Sequence, residues 1–175
     1  MRDGEQSPGA SMTLREKLEL AELLQEMKVD VCEAGFAASS EGDFQCVSQI
    51  AELAKDMAIC TLARSTLTDI DKAGEALRKA KAPRIHTFIS TSPLHMKYKL
   101  QMEPEQVHEA IIASVSLARR FTDDVEWSCE DGSRTERDFL CRCVETAIRS
   151  GATTINIPDT VGYAVPDEFA ATIRM

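Results

Sequence analysis

Four short stretches carry side chains that could do chemistry together. The first is Arg2-Asp3-Gly4-Glu5-Gln6, too polar for a core strand and followed by a loop at 7–11. A guanidinium beside a carboxylate is often no more than a surface ion pair. At the end of a first barrel strand the pair suits another job: Asp3 can hold a divalent cation while Arg2 faces negative charge developing on a substrate oxygen. The second stretch is residues 124–135. Strand alternation places Glu126, Ser128 and Glu130 on one face and Val125, Trp127 and Cys129 on the other. A carboxylate in a barrel lumen costs free energy unless it is paired or used. Glu126 therefore reads either as a functional group or as a lumen salt bridge with Arg84 or Arg64, and Glu130, at the strand end, as a functional carboxylate.

The third stretch runs from Asn156 to Tyr163. Pro158 follows the strand, and amide, carboxylate and hydroxyl groups from Asn156, Asp159 and Thr160 cluster around the turn. This is either a functional cluster or ordinary βα turn chemistry, since Asp and Thr are good turn residues. The fourth stretch is residues 84–92, with His95 shortly beyond. His86, inside a strand, either points into a lumen or is a satisfied core residue. The hydroxyls of Ser90, Thr91 and Ser92 could take a phosphate or carboxylate group.

Other chemistries find no support. The three histidines, His86, His95 and His108, never fall in H-x-H or H-E-x-x-H spacing, so no zinc site built wholly from this chain is visible. Cys141 and Cys143 lie in a helical stretch, where positions i and i+2 point about 160° apart. They cannot chelate one metal and read as packing. No C-x-x-C, P-loop or G-x-S-x-G occurs.

These groups need elements to position them. Short β-branched runs at 29–32, 57–62, 84–89, 124–129 and 153–157 alternate with stretches of helical period at 14–27, 43–55, 69–80, 104–121 and 135–150, and a last helix opens at Pro166. Thr13 and Glu16 form a capping box at the first helix, and Gly151 is placed to stop the fifth. Strands and helices recurring at roughly 30-residue intervals mean βαβ units and a parallel sheet. An open doubly wound sheet usually shows a Gly-rich first turn, and no G-x-G-x-x-G is present. Five successive strands offer polar groups at or just past their C-terminal ends, as barrel enzymes do. The expected fold is α/β, a (β/α)₈ TIM-type barrel. Residues 1–175 form a single domain.

Composition narrows the partners. With 20 basic and 29 acidic residues the formal charge is -9, which argues against a nucleic-acid footprint and against binding an anionic membrane surface. No apolar run approaches the roughly 20 residues of a membrane span, and the N-terminus is no signal peptide. Six cysteines in apolar or helical contexts read as reduced thiols, so the expected location is cytoplasmic.

Residues 2–9, 42–44, 84–88, 128–131 and 151–163 resemble the 2-isopropylmalate synthase branch of the metal-dependent TIM-barrel family that also holds homocitrate synthases, citramalate synthases and hydroxymethylglutaryl-CoA lyases. The run Ala152-Thr153-Thr154-Ile155-Asn156-Ile157-Pro158-Asp159-Thr160-Val161-Gly162-Tyr163, with the His86 segment, carries the resemblance to that branch. It implies a Claisen-type acyl transfer in leucine biosynthesis: acetyl-CoA condenses with 2-oxoisovalerate to give 2-isopropylmalate and CoA. It also implies a divalent metal ion (Mg, Mn or Zn) with Asp3 as a ligand. Arg2 would lie against the ketone oxygen, Glu130 would aid acid/base chemistry or substrate placement, and His86, Ser128, Asn156, Pro158 and Thr160 would line the oxo-acid pocket. The resemblance also implies a homodimer at full length, with 2-oxoisovalerate and acetyl-CoA as small-molecule partners.

The pattern has departures. Ala37 stands where the family has proline, and the family's His-x-His metal ligands would lie beyond Met175. The expectation is thus a truncated catalytic barrel with strands one to six present, strands seven and eight and a regulatory domain absent, and negligible activity on its own. The alternatives are a citramalate or homocitrate synthase fragment, or a non-catalytic half-barrel that serves as a binding module.

Overall fold

The computed structural model describes all 175 residues. The elements alternate as α1 (Leu14–Glu26), β1 (Val31–Gly35), α2 (Glu41–Leu53), β2 (Ala58–Arg64), α3 (Leu67–Ala76), β3 (Pro83–Ser90), α4 (Pro93–His95), α5 (Pro104–Ala118), β4 (Asp124–Glu130), α6 (Arg137–Ser150), β5 (Thr154–Asn156) and α7 (Pro166–Arg174). All five strands are parallel and lie in the order β1-β2-β3-β4-β5. Each crossover therefore advances one strand in the same direction. The helices follow suit, α1 against α2, α2 against α3, α3 against α5 and α5 against α6. A doubly wound sheet must reverse its strand order, and this one never does. The sheet is a run of barrel wall, as the strand-end polar groups suggested.

Side-chain alternation divides the sheet into two faces. Outward residues such as Ile59, Ile85, Val125 and Trp127 are buried under helix residues Val47, Ile50, Ile70, Ile111 and Val115 in one apolar cluster. Each such aliphatic side chain contributes about 1.5–3 kcal/mol on burial. The inward set carries Glu33, Cys60, Arg84, His86, Glu126 and Ser128. This is the opposition read from residues 124–130.

Caps set the helix starts. Thr13 accepts from the Glu16 N–H, and the Glu16 carboxylate accepts from the Thr13 N–H at 2.7 Å, which is the expected capping box. Ser40 and Thr66 cap α2 and α3, so both begin two residues ahead of the expected starts. Gly151, at φ 110°, ends α6 in the left-handed conformation that glycine adopts without strain. The Arg119 side chain lies where a Cβ there would be.

Two expectations change. The segment at residues 1–6 is not a strand, so the sheet has five strands rather than six. Gly4–Gln6 form a 3₁₀ turn, and the Arg2 N–H to Glu33 C=O bond (3.1 Å) joins this segment to β1. Residues 3–6 curl because Glu5 reaches elsewhere: its carboxylate accepts from the Met12 N–H at 3.1 Å and meets Lys17 at 2.8 Å. Between β3 and α5, where no element was expected, α4 runs into a π-helical turn, Met96–Leu100, ended by Gln101 at φ 54°. The strands also shift slightly. β1 begins two residues later than expected, after Lys28, at φ 61°, has turned the chain out of α1.

None of the six cysteines is in a disulfide, and Cys141 alone is exposed. No helix is long and apolar enough to cross a membrane.

Candidate active site

A cleft of about 500 Å³ opens at the C-terminal ends of the strands. All eight sequence-nominated residues line it: Arg2, Asp3, His86, Ser128, Glu130, Asn156, Pro158 and Thr160. Strand register explains the grouping. Leu62 and Glu126 flank His86, and Phe88 and Asn156 flank Ser128, so inward residues two apart on neighbouring strands form successive layers.

The floor is a line of hydrogen bonds across three strands. Arg2 Nε donates to Glu33 Oε1 at 2.6 Å, and His86 Nδ1 lies 2.5 Å from Glu33 Oε2. On the other side of the ring, His86 Nε2 is 2.7 Å from Ser128 Oγ. Burial alone would push the Glu33 carboxyl up. The hydrogen bond from His86, together with the Arg2 guanidinium, overrides this and holds it at about 2. His86 is both lumen-facing and satisfied, so the two sequence readings of it coincide.

Beside this line, Arg84 Nε donates to Asp124 at 2.9 Å and its Nη1 to Glu126 Oε2 at 3.4 Å, while Asn156 Nδ2 donates to Glu126 Oε1 at 3.1 Å. Glu126 is thus a salt-bridge residue, with Arg84 as its partner. Arg64 is occupied by Asp69, at 2.7 and 3.1 Å.

The rim is built differently. Glu130 accepts from Ser90 Oγ and from Lys99 Nζ, at 2.7 and 2.6 Å to its two oxygens. Lys99 comes from the π-helical turn. Thr160 Oγ1 accepts from the Asp131 N–H at 2.9 Å. Asp159 receives the Ser133 hydroxyl and the backbone N–H groups of Tyr163 and Ala164, which hold its carboxyl below the usual range and shape the loop after β5. The hydroxyls at 90–92 do not present an anion site. Ser90 binds Glu130, Thr91 binds Thr135 at 2.7 Å, and Ser92 caps α4.

Two contributors escaped the sequence reading. Glu33 was read as one of the polar groups at the strand ends that favour a barrel, but its place in the site was not. Lys99 gave no signal, because its turn has no amphipathic period.

Two places could hold a cation. Ligand atoms of Glu33, Cys60 and His86 lie within 4.8 Å of one another. Both Glu33 oxygens are already engaged there, one by a guanidinium, and burial pushes the Cys60 thiol well above its ordinary value. That cluster fits a hydrogen-bonded floor better than a metal. Asp3 fits better: its side chain is 87% exposed at the cleft, and its one close contact is Arg2 Nη1 at 3.4 Å.

A parallel sheet that never reverses, with its polar groups gathered at the strand ends, defines part of a (β/α)-barrel of the enzyme type. The chain belongs to the HMGL-like family, whose model matches residues 1–175. It is 66% identical over 174 residues to a 2-isopropylmalate synthase of Caulobacter vibrioides, covering 99% of this chain and 33% of that protein. With its counterpart from Bradyrhizobium sp. (strain ORS 278) it shares 63% identity over 169 residues, 97% of this chain and 32% of that one. The chain thus spans about a third of the length of these curated relatives. Among solved structures, hydroxymethylglutaryl-CoA lyase from Pseudomonas aeruginosa superposes with a TM-score of 0.79 at 18% identity, over 99% of this chain and 60% of the lyase. Phosphonopyruvate hydrolase aligns at TM-score 0.64 and 15% identity, over 93% of this chain and 68% of that one. These structural likenesses speak to fold alone.

Proposed function

We propose that this chain forms a wall of the active site of a 2-isopropylmalate synthase, an acyltransferase that condenses acetyl-CoA with 2-oxoisovalerate to 2-isopropylmalate and CoA. The observation that carries this reading is the convergence of Arg2, Asp3, His86, Ser128, Glu130, Asn156, Pro158 and Thr160 on one cleft, in a sequence 66% identical to a protein of that name. Asp3 is this chain's ligand to a divalent cation, Mg, Mn or Zn. When bound, such a cation supplies Lewis-acid polarisation of the ketone of a 2-oxo acid.

Arg2 is held from behind by Glu33 and Gln6, through Nε and Nη1. Its Nη2 is left for a substrate oxygen that gains negative charge as the new C–C bond forms. A donor fixed in place before the reaction costs no reorganisation at that moment. Glu130 stands at the rim as the carboxylate for acid/base work or substrate placement. His86, Ser128, Asn156, Pro158 and Thr160 bound the oxo acid.

Substrate choice follows from charge balance. Arg84 is matched by Asp124 and Glu126, Arg2 by Glu33, and Lys99 by Glu130. No lumen cation is spare for a second carboxylate, which favours a monocarboxylic oxo acid over 2-oxoglutarate. The relatives' names favour 2-oxoisovalerate over pyruvate. The full-length protein acts in the cytoplasm as a homodimer in leucine biosynthesis, without nucleic-acid or membrane partners. Thiol release from acetyl-CoA by the full-length protein, with Mg²⁺ or Mn²⁺, tests the reading. Turnover fastest with 2-oxoisovalerate is expected; turnover fastest with 2-oxoglutarate, or none with any of the three acids, overturns it.

A further inference from the structure

Glu33 is the one charged residue in β1 and it faces the lumen, where an unpartnered carboxylate would be costly. It has a partner on each oxygen, Arg2 Nε at 2.6 Å and His86 Nδ1 at 2.5 Å. The other titratable groups facing this line are the Cys60 thiol, 3.9 Å from Glu33 Oε2, and Glu126, 3.8 Å from His86 Nε2. Neither comes between Glu33 and its two partners.

We propose that Glu33 is the positioning residue of the cleft: one oxygen aims the Arg2 guanidinium, and the other fixes the His86 ring so that Ser128 turns its oxygen lone pairs toward the substrate. The chain of donors has one direction. An ionised carboxylate can only accept, so His86 Nδ1 carries the hydrogen. In the neutral ring Nε2 is then the acceptor, and the Ser128 hydroxyl, 2.7 Å away, donates to it. Ser128 Oγ has spent its hydrogen and offers the cleft an acceptor. Such a wall tolerates an aliphatic substituent and repels a second carboxylate. One residue thereby couples the group that faces the reacting oxygen to the wall that faces the substrate's side chain. Glu33 need touch no substrate to do so.

The kinetic part of this inference rests on the function proposed above; the tautomer does not. The long-range ¹H–¹⁵N spectrum of the histidine rings in the full-length protein, with His86 assigned by comparison with His86→Gln, reads the tautomer directly. The expected wild-type spectrum shows the proton on Nδ1 and a bare Nε2. In Glu33→Gln the single amide oxygen can serve Arg2 or His86 but not both. The ring then becomes a mixture of tautomers, and kcat falls on the order of 10–100-fold, the usual cost of losing an orienting partner. Glu33→Asp restores part of both. Ser128→Ala leaves the Nδ1 proton in place, which keeps the proposal testable should a Glu33 variant fail to fold. A wild-type ring with its proton on Nε2 overturns the proposal. So does a Glu33→Gln protein with unchanged tautomer, and so does one with a mixed tautomer but unchanged kcat. If no oxo acid is turned over, the function proposed above fails, while the spectrum still decides where Glu33 holds the ring.

Discussion

Glu33 in the floor of the cleft and Glu130 at its rim are carboxylates of equal exposure: 21% for the Glu33 side chain and 22% for that of Glu130. Their partners differ. Glu33 is gripped by His86, 6% exposed and locked in β3, and by Arg2, 21% exposed. Glu130 accepts from the Ser90 hydroxyl, and its one cation is Lys99, 47% exposed, on a π-helical turn. A flexible lysine in water holds its partner weakly, because the pair pays side-chain entropy and is screened. Burial of a carboxylate therefore does not by itself decide how firmly it is held; the rigidity and solvation of its partners do. The floor is built to stay fixed, and the rim carboxylate is left able to move.

The floor should dominate the acid stability of the protein. The Glu33 carboxyl drops from an ordinary 4.5 to about 2 on folding. A group whose folded value is depressed contributes stability above its unfolded value and loses it as pH falls through the folded value. The contribution, on the order of 3 kcal/mol, is full above about pH 4.5 and fades down to pH 2. Urea unfolding between those limits should show wild type losing that margin relative to Glu33→Gln. Parallel pH profiles for the two proteins would break the comparison.

A smaller effect belongs to the rim. Lys99→Ala should change unfolding free energy by no more than about 1 kcal/mol, and by less at high salt. A loss as large as that expected for Glu33 would place rim and floor on the same footing. The same two measurements, repeated with 2-oxoisovalerate present, would sharpen the contrast by showing whether the rim stiffens when occupied.

How far this contrast was legible in the sequence follows from its physics. Alternation within β4 separated Glu126, Ser128 and Glu130 from Val125, Trp127 and Cys129, because a strand's period is fixed locally. The same holds for the Thr13–Glu16 cap and for Gly151. Part of the cleft's membership was legible because polar residues, Ser128, Glu130, Asn156 and Thr160 among them, ended successive strands, whereas His86 and Pro158 were assigned to it through the family resemblance. The floor was not, since Glu33 finds its partners 31 and 53 residues away in the chain and only the register brings them together. The 3₁₀ turn at Gly4–Gln6 was hidden for a related reason. Glu5 is drawn to Lys17 by a tertiary ion pair that no local pattern announces.

The function proposed for this cleft has it bind a 2-oxo monocarboxylic acid through Arg2 and an Asp3-held divalent cation. Calorimetric titration of 2-oxoisovalerate into the full-length protein, with and without Mn²⁺, measures it directly on wild type and on Asp3→Asn. Binding that requires the metal in wild type and is lost in Asp3→Asn is the predicted result. Binding of equal strength without the metal, or undiminished in Asp3→Asn, would contradict it.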